Sequence, residues 1–225
     1  MTFSIVGRCE RTGMLGVGIS TSSISVGSRC PWIRERVGAV TSQNMTDPRI
    51  GPAVLDQLAQ GLGAKDALAR VTSSSPGIDY RQIAVVDAKG GTAQFTGAKA
   101  FDVQAEASGK SCVALGNILK NKGVPPAMVK AFGAGADQHL AERLLRGLEA
   151  GLAAGGETGP VHSAAIKVYH EQSWSYVDLR VDWEDDGPIA RLRKLWKAYE
   201  KEMDAFVIRA LDPEHSPGFG VPGAP

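Results

Sequence analysis

Thr2 carries the most distinctive chemistry in the sequence. Once the peptide bond before it is cut, a hydroxyl and an α-amine on one residue make a compact nucleophile–base pair. An α-amine with a pKa of about 7.7–8.0 can take the hydroxyl proton at neutral pH. Thr is small enough for aminopeptidases to remove Met1, whereas a retained Met1 ties that amine into a peptide bond and abolishes the base. Asn117 follows Gly116 at a strand end and could hydrogen-bond a substrate amide or simply shape a turn. His162 precedes a strand, and its ordinary pKa suits acid–base work as well as a structural role. The four histidines show no HxH or HExxH spacing, and no metal site is expected. Glu157, Asp185 and Asp186 read as solvated or capping carboxylates. Gly16-Val17-Gly18 lacks the third glycine and the following helix of a dinucleotide fingerprint.

These residues need elements to hold them. Thr2–Val6 alternates, with Phe3 and Ile5 on one face. After the turn Glu10–Gly13, Leu15, Val17 and Ile19 alternate with Gly16, Gly18 and Ser20, so a hairpin is expected. Pro31-Trp32 opens an irregular or helical piece, and Val37–Thr41 reads as a third strand followed by a polar turn at Gln43–Pro48. Helices are predicted over about Gly51–Gln60 and Ala64–Val71. Arg81–Asp87 and Gly91–Phe95 flank a hairpin turn, and Ser111–Leu115 is another strand. Helices follow at Pro125–Phe132 and Asp137–Ala153, the second with Leu140, Leu144, Leu145, Leu148 and Leu152 on one face. Ser163–His170 and Trp174–Val181 form a last hairpin, and Pro188–Leu211 a long amphipathic helix before a Pro/Gly tail over 213–225. Roughly eight hairpin-connected strands and five helices suggest one α+β domain with two mostly antiparallel sheets and helices outside them.

The 225 residues are 43% apolar and 22% charged, which excludes a disordered chain. A net charge of +1 shows no basic excess, so no nucleic-acid partner is expected. No apolar run approaches the roughly 18–20 residues of a membrane span, and the first residues lack the features of a signal peptide. The odd cysteine count, Cys9, Cys30 and Cys112, argues for reduced thiols in a cytoplasmic protein. The 27 glycines are dispersed, which points to turns and close packing.

A first strand entered at once, a turn, a Gly-lined second strand and a third strand leading to a helix resemble the opening of the N-terminal-nucleophile (Ntn) hydrolases. On that resemblance Gly16 and Gly18 keep space open beside Thr2, the Gln43–Asn44 turn offers backbone N–H groups as an oxyanion hole, and Arg29 is the cation near the nucleophile. More specifically, a series of motifs resembles the domain-of-unknown-function family numbered 1028. They are Thr2-Phe3-Ser4-Ile5-Val6, Thr12-Gly13-x-Leu15-Gly16-Val17, Val26-Gly27-Ser28, Gly38-Ala39-Val40-x-x-Gln43, Gly51, Gly116-Asn117-Ile118-Leu119 and Gly155-Gly156 with Ser163-Ala164-Ala165. The ending Arg209-Ala210-Leu211-x-Pro213 with Gly220-Val221-Pro222-Gly223 is similar to that of some members. The resemblance implies a four-layer αββα sandwich of the Ntn type and no settled reaction. Members often carry Asp-x-Arg-Gly-x-Gln where this chain has Glu157-Thr158-Gly159-Pro160-Val161-His162.

The expectation is therefore a hydrolase of a small amide or other C–N bond. Thr2 is the nucleophile, Gln43 and Asn44 hold the oxyanion, and Arg29, Asn117 and His162 orient the substrate. No cofactor is needed, and the partners are a small-molecule substrate and a second copy in a homodimer. A non-catalytic Ntn-fold protein that binds a small molecule or a protein partner is the alternative. A third option is imine or enamine hydrolysis by a water held by Asn117 and His162, with Thr2 a bystander.

Overall fold

Side-chain alternation along the strands decides which way each sheet faces. The computed structural model describes residues 1–221. β1 (Thr2–Arg8) and β2 (Leu15–Thr21) form the expected hairpin, with Phe3 opposite Ser20 and Ile5 opposite Gly18. β9 (Ser163–Tyr169) pairs with β2, and β10 (Val177–Val181) pairs with β9. On the other side of β1 lie β8 (Cys112–Asn117) and then β7 (Ala105–Gly109). The second sheet runs β3 (Pro31–Arg34), β4 (Gly38–Asn44), β5 (Arg81–Asp87) and β6 (Thr92–Thr96) in that order, and every pairing in both sheets is antiparallel.

Phe3 and Ile5 face outward onto α3 (Val124–Ala134) and α4 (Leu140–Ala153), where Met128, Phe132, Leu144 and Leu148 cover them. Ile189, Leu192 and Trp196 of α5 (Pro188–Tyr199) extend that layer. The alternate positions, Val6 with Leu15, Val17, Val113 and Leu115, face Ala39, Ala84 and Val86 of the other sheet. Beyond that sheet, α1 (Ile50–Ala59) and α2 (Ala64–Thr72) pack on Val40, Ile83 and Val85. The layers are helix, sheet, sheet, helix: an αββα sandwich of the α+β class. Each buried Val, Leu or Phe contributes about 1.5–3 kcal/mol, so the three apolar layers supply the driving force for the stack.

Small residues set the spacing between layers. A Cβ at Gly16 would lie 2.7 Å from Leu144, and one at Gly18 would meet Leu144 and Ile5 at 3.3–3.4 Å. These glycines let α4 close onto β2; they face the helices and do not open space beside Thr2. In α1 a Cβ at Gly51 would lie 2.2 Å from the Trp32 ring. Gly51→Ala gains about 1 kcal/mol of helix propensity but overpacks at a cost of about 1–3 kcal/mol. We expect a net loss, read as a lower denaturant midpoint at unchanged m value.

Several elements differ from the sequence reading. Pro31–Arg34 is an edge strand, where a first-position proline is tolerated because its missing N–H faces away from the ladder. β7 adds a strand the pattern did not show, and the described residues hold ten strands. The long C-terminal helix is two, α5 and α6 (Met203–Leu211), broken at Glu200–Glu202, and no α6 residue is buried. The tail folds back on α6: Arg209 donates to the carbonyls of Pro217 and Gly218, both at 3.0 Å, and stacks on Phe219. Residues 222–225 of that tail lie outside the described residues.

Candidate active site

The layer between the sheets changes character along its length. It is apolar from Val6 to Leu115, then polar where Ser4, Gln43, Gln82 and Asn117 meet, all fully buried. Ser4 Oγ donates to Gln43 Oε1 (2.7 Å), Gln43 Nε2 donates to Gln82 Oε1 (2.9 Å), and Asn117 Nδ2 donates to the same oxygen (3.1 Å). Gln82 Nε2 donates in turn to the Gly116 carbonyl (3.0 Å) and Thr96 Oγ1 (3.3 Å). The network bolts the two sheets together at one end, and one atom is left over: Asn117 Oδ1 is buried with no partner.

Thr2 stands at the mouth of this polar end. It pairs with Asn117 in the β1–β8 register, and its side chain shares the inter-sheet face with Ser4. Its hydroxyl lies 3.1 Å from that of Thr21. Both hydroxyls donate to the Met1 carbonyl oxygen, so the carbonyl preceding Thr2 is clamped by two O–H groups. Behind Thr21 the donors continue: Arg29 Nη2 donates to Ser23 Oγ (2.7 Å), and Ser23 Oγ is 3.4 Å from Thr21 Oγ1. Arg29 also holds the carbonyls of Ile24 and Ser25, so its charge reaches the Thr2 region through two hydroxyls rather than directly.

Glu157 borders the same space. Gly155 and Gly156, at φ +127° and +58°, reverse the chain after α4 in a conformation that favours glycine. Glu157 then bridges to Leu119 and turns inward to 5% exposure. Its Oε2 accepts from the Ser22 N–H (3.2 Å), and its Oε1 has no partner. Burial pushes this carboxyl up to about 8, against the pull of the positive amine of Met1. It is not the solvated or capping carboxylate expected.

That shift has a sign that can be checked. A carboxyl raised from about 4.5 to about 8 favours the fold while protonated, and the contribution is lost as pH rises through that window. Glu157→Gln cannot ionise. It is expected to match the parent at pH 5 and to exceed it by at least about 2 kcal/mol at pH 9, read by denaturation at the two pH values.

The other expected site residues sit as follows. Gln43 and Asn44 are not a turn: they end β4, opposite Gln82 and Arg81. Gln43 is a strut of the buried network, and Asn44, at φ +72°, donates from Nδ2 to the Tyr80 carbonyl (2.6 Å) and accepts from the Phe101 N–H (3.2 Å). The donor set on a carbonyl at Thr2 is the Thr21 hydroxyl, a residue not among the expected site residues. His162 does not hydrogen-bond Thr2. Its N–H donates to the Thr21 carbonyl (2.9 Å) and Nδ1 donates to the Ser22 carbonyl (2.8 Å), while the ring stacks on Trp183 and Nε2 lies 3.7 Å from Asp185. It holds the Thr21–Ser22 backbone in place. Ser163 does the same for the next turn, donating to the Ser23 carbonyl (2.6 Å) and accepting from the Val26 N–H (3.2 Å). Among the described residues no cluster of three or more His, Cys, Asp or Glu side chains is placed to hold a metal, and no helix is long and apolar enough to cross a membrane.

An αββα sandwich with a threonine clamped at the polar end of its inter-sheet layer is the class that fold and site define. The chain belongs to the family of unknown function DUF1028, whose model matches residues 2–192. It is similar to the crystal structure of protein SPO2555 from Silicibacter pomeroyi, of the same family: 33% identity, 91% of this chain and 89% of that chain covered, TM-score 0.84. It also matches Anbu (ancestral beta-subunit) from Yersinia bercovieri at 10% identity, covering 91% and 97% of the two chains, TM-score 0.39. An Anbu (Gly-1) mutant from Hyphomicrobium sp. strain MC1 matches at 13% identity, covering 94% and 100%, TM-score 0.42. No curated protein matches the chain.

Proposed function

We propose that this chain hydrolyses an amide or related C–N bond in a small molecule, with Thr2 as an N-terminal nucleophile. The observation that carries the reading is the clamp: the Thr2 and Thr21 hydroxyls converge on one carbonyl oxygen. With the bond before Thr2 cut, its amine takes the Oγ proton, and Oγ attacks the substrate carbonyl. Thr21 Oγ–H, backed by Ser23 and Arg29, donates to the oxygen as charge develops there. Asn117 Oδ1, buried and unpartnered beside Thr2, accepts from the amine or from the substrate N–H. The proton on the amine goes to the leaving nitrogen, and water then cleaves the ester on Thr2.

The test is covalent. A β-lactone probe incubated with a chain that begins at Thr2 should add once, on the N-terminal peptide, by mass spectrometry. Labelling elsewhere, or none, contradicts the reading. The second reading, a binding protein on the same scaffold, holds if Met1 stays attached in the cell, because the Thr2 amine is then an amide.

The proposal includes a cytoplasmic homodimer. Three free, buried cysteines suit a reducing compartment. Ile208 and Leu211 of α6, one turn apart, are 41% and 62% exposed, an apolar spot that a second copy would cover. Light scattering should give twice the chain mass, and a monomer would remove the dimer.

A further inference from the structure

Met1 shows what kind of group fits beside Thr2. Its carbonyl oxygen takes both hydroxyl donors, so its carbonyl carbon lies against Thr2 Oγ1. An acyl group on the Thr2 nitrogen and one on the Thr2 Oγ differ only by closure of a five-membered ring through N, Cα, Cβ and Oγ. The two therefore occupy nearly the same space, and residue 1 is an internal copy of an acyl group on the nucleophile.

That group is an aminoacyl group, and its surroundings match its parts. Thr158 Oγ1 donates to Met1 Sδ (3.6 Å), and the end of the unbranched Met1 side chain lies beside Gly159, where a Cβ would meet Met1 Cε at 3.4 Å in ordinary contact. Next to these two residues stands Glu157, 5% exposed with a single N–H donor and one oxygen unfilled; the Met1 amine makes no ion pair with it and bears on it through its charge alone. Left alone, that burial favours the protonated carboxyl; a cation at the unfilled oxygen would ionise and complete it. No other feature of the Thr2 site supplies that donor: Arg29 is committed to Ser23, Ile24 and Ser25, and His162 to Ser22 and Asp185.

We infer that the substrate is an aminoacyl amide, its free α-ammonium held by Glu157 and its side chain lying along Thr158 and Gly159. The inference rests on the reading of Thr2 as nucleophile. The step balances: Thr2 Oγ bonds to the aminoacyl carbon, the C–N bond breaks, and the leaving amine takes the proton from the Thr2 ammonium. Water then adds to the ester, releasing an α-amino acid and restoring the hydroxyl.

Turnover and binding are tested separately, on chains that begin at residue 2. L-methionine p-nitroanilide should be cleaved with a kcat/KM at least about 100-fold above its N-acetyl derivative. Glu157→Gln should lower the first about 100-fold and remove most of the preference between the two substrates. In calorimetry the Thr2→Ala chain should bind L-methioninamide, and the same chain with Glu157→Gln added, or with Met1 retained, should not. Equal cleavage of both anilides, abolished by Thr2→Ala, would overturn the aminoacyl class and leave Thr2 standing. Binding lost with Glu157→Gln but no Thr2-dependent cleavage would uphold the subsite and count against the nucleophile. Failure to bind methioninamide, or equal binding with Met1 in place, would overturn the inference.

Discussion

Thr2→Ala should lower amide turnover by about 10⁴-fold or more, the order of loss when a hydrolase loses its nucleophile. That corresponds to more than about 5 kcal/mol of barrier. The structural cost is far smaller. The Thr2 hydroxyl makes a hydrogen bond to the Met1 carbonyl and a 3.1 Å contact with Thr21, interactions whose net value is about 1 kcal/mol. Alanine also loses the Cγ2 methyl, a further cost of about 1 kcal/mol, while the backbone pairing with Asn117 is kept. The variant should therefore fold as the parent does and fail to turn over. Thr2→Ser keeps the hydroxyl and the amine and should retain measurable rate. Steady-state kinetics on chains beginning at residue 2, with denaturation in parallel, separates the two effects. Unchanged turnover in Thr2→Ala would move the chemistry away from this residue.

The largest expected effect on stability is at Gln82. Its amide is the hub of the inter-sheet network, accepting from Gln43 and Asn117 and donating to Gly116 and Thr96. Gln82→Leu leaves two buried N–H donors without an acceptor, at about 1–3 kcal/mol each. Leucine regains about 1–2 kcal/mol through its own burial. The unsatisfied donors win, and a net loss of about 2–4 kcal/mol is expected, large against a total of about 5–15 kcal/mol for a domain. Because the network holds the strand ends around Thr2, the same variant should also lose turnover. An unfolding free energy within about 0.5 kcal/mol of the parent's would mean that the network is loosely packed or water-filled, and that the sheets are joined by the apolar end alone.

Local pattern made the scaffold readable. Thr2–Val6 and Leu15–Ile19 alternate cleanly, and the leucines of α4 repeat on one face, so the first hairpin and the main covering helix follow from periodicity. β7 was not visible because Ala105, Ala107 and Gly109 offer no large apolar side chain, as suits an edge strand. The break between α5 and α6 was hidden because Trp196, Tyr199, Met203 and Phe206 keep a helical spacing across Glu200–Glu202.

The site was legible only in part, for a physical reason. Thr2 and Asn117 stand out by type, but their adjacency depends on β8 returning to β1 from far along the chain, which no local window contains. Gln43 was singled out for its backbone and serves through its side chain, because β4 continues past Thr41 to Asn44. Thr21 carries no signal of its own, and only the β1–β2 hairpin, with Phe3 opposite Ser20, brings its hydroxyl to that of Thr2. Glu157 is a lone acid after two glycines, a usual sign of an exposed turn; burial beside Leu119 and Ser22 is a tertiary fact.

Everything proposed for this site requires that Thr2 carry a free amine in the cell. The direct measurement is the intact mass and N-terminal peptide of untagged protein purified from its own host. The expected result is a chain that starts at Thr2, with nothing attached to its nitrogen. A chain that retains Met1 or any other residue before Thr2 would contradict it, since the only base placed at the hydroxyl would then be an amide.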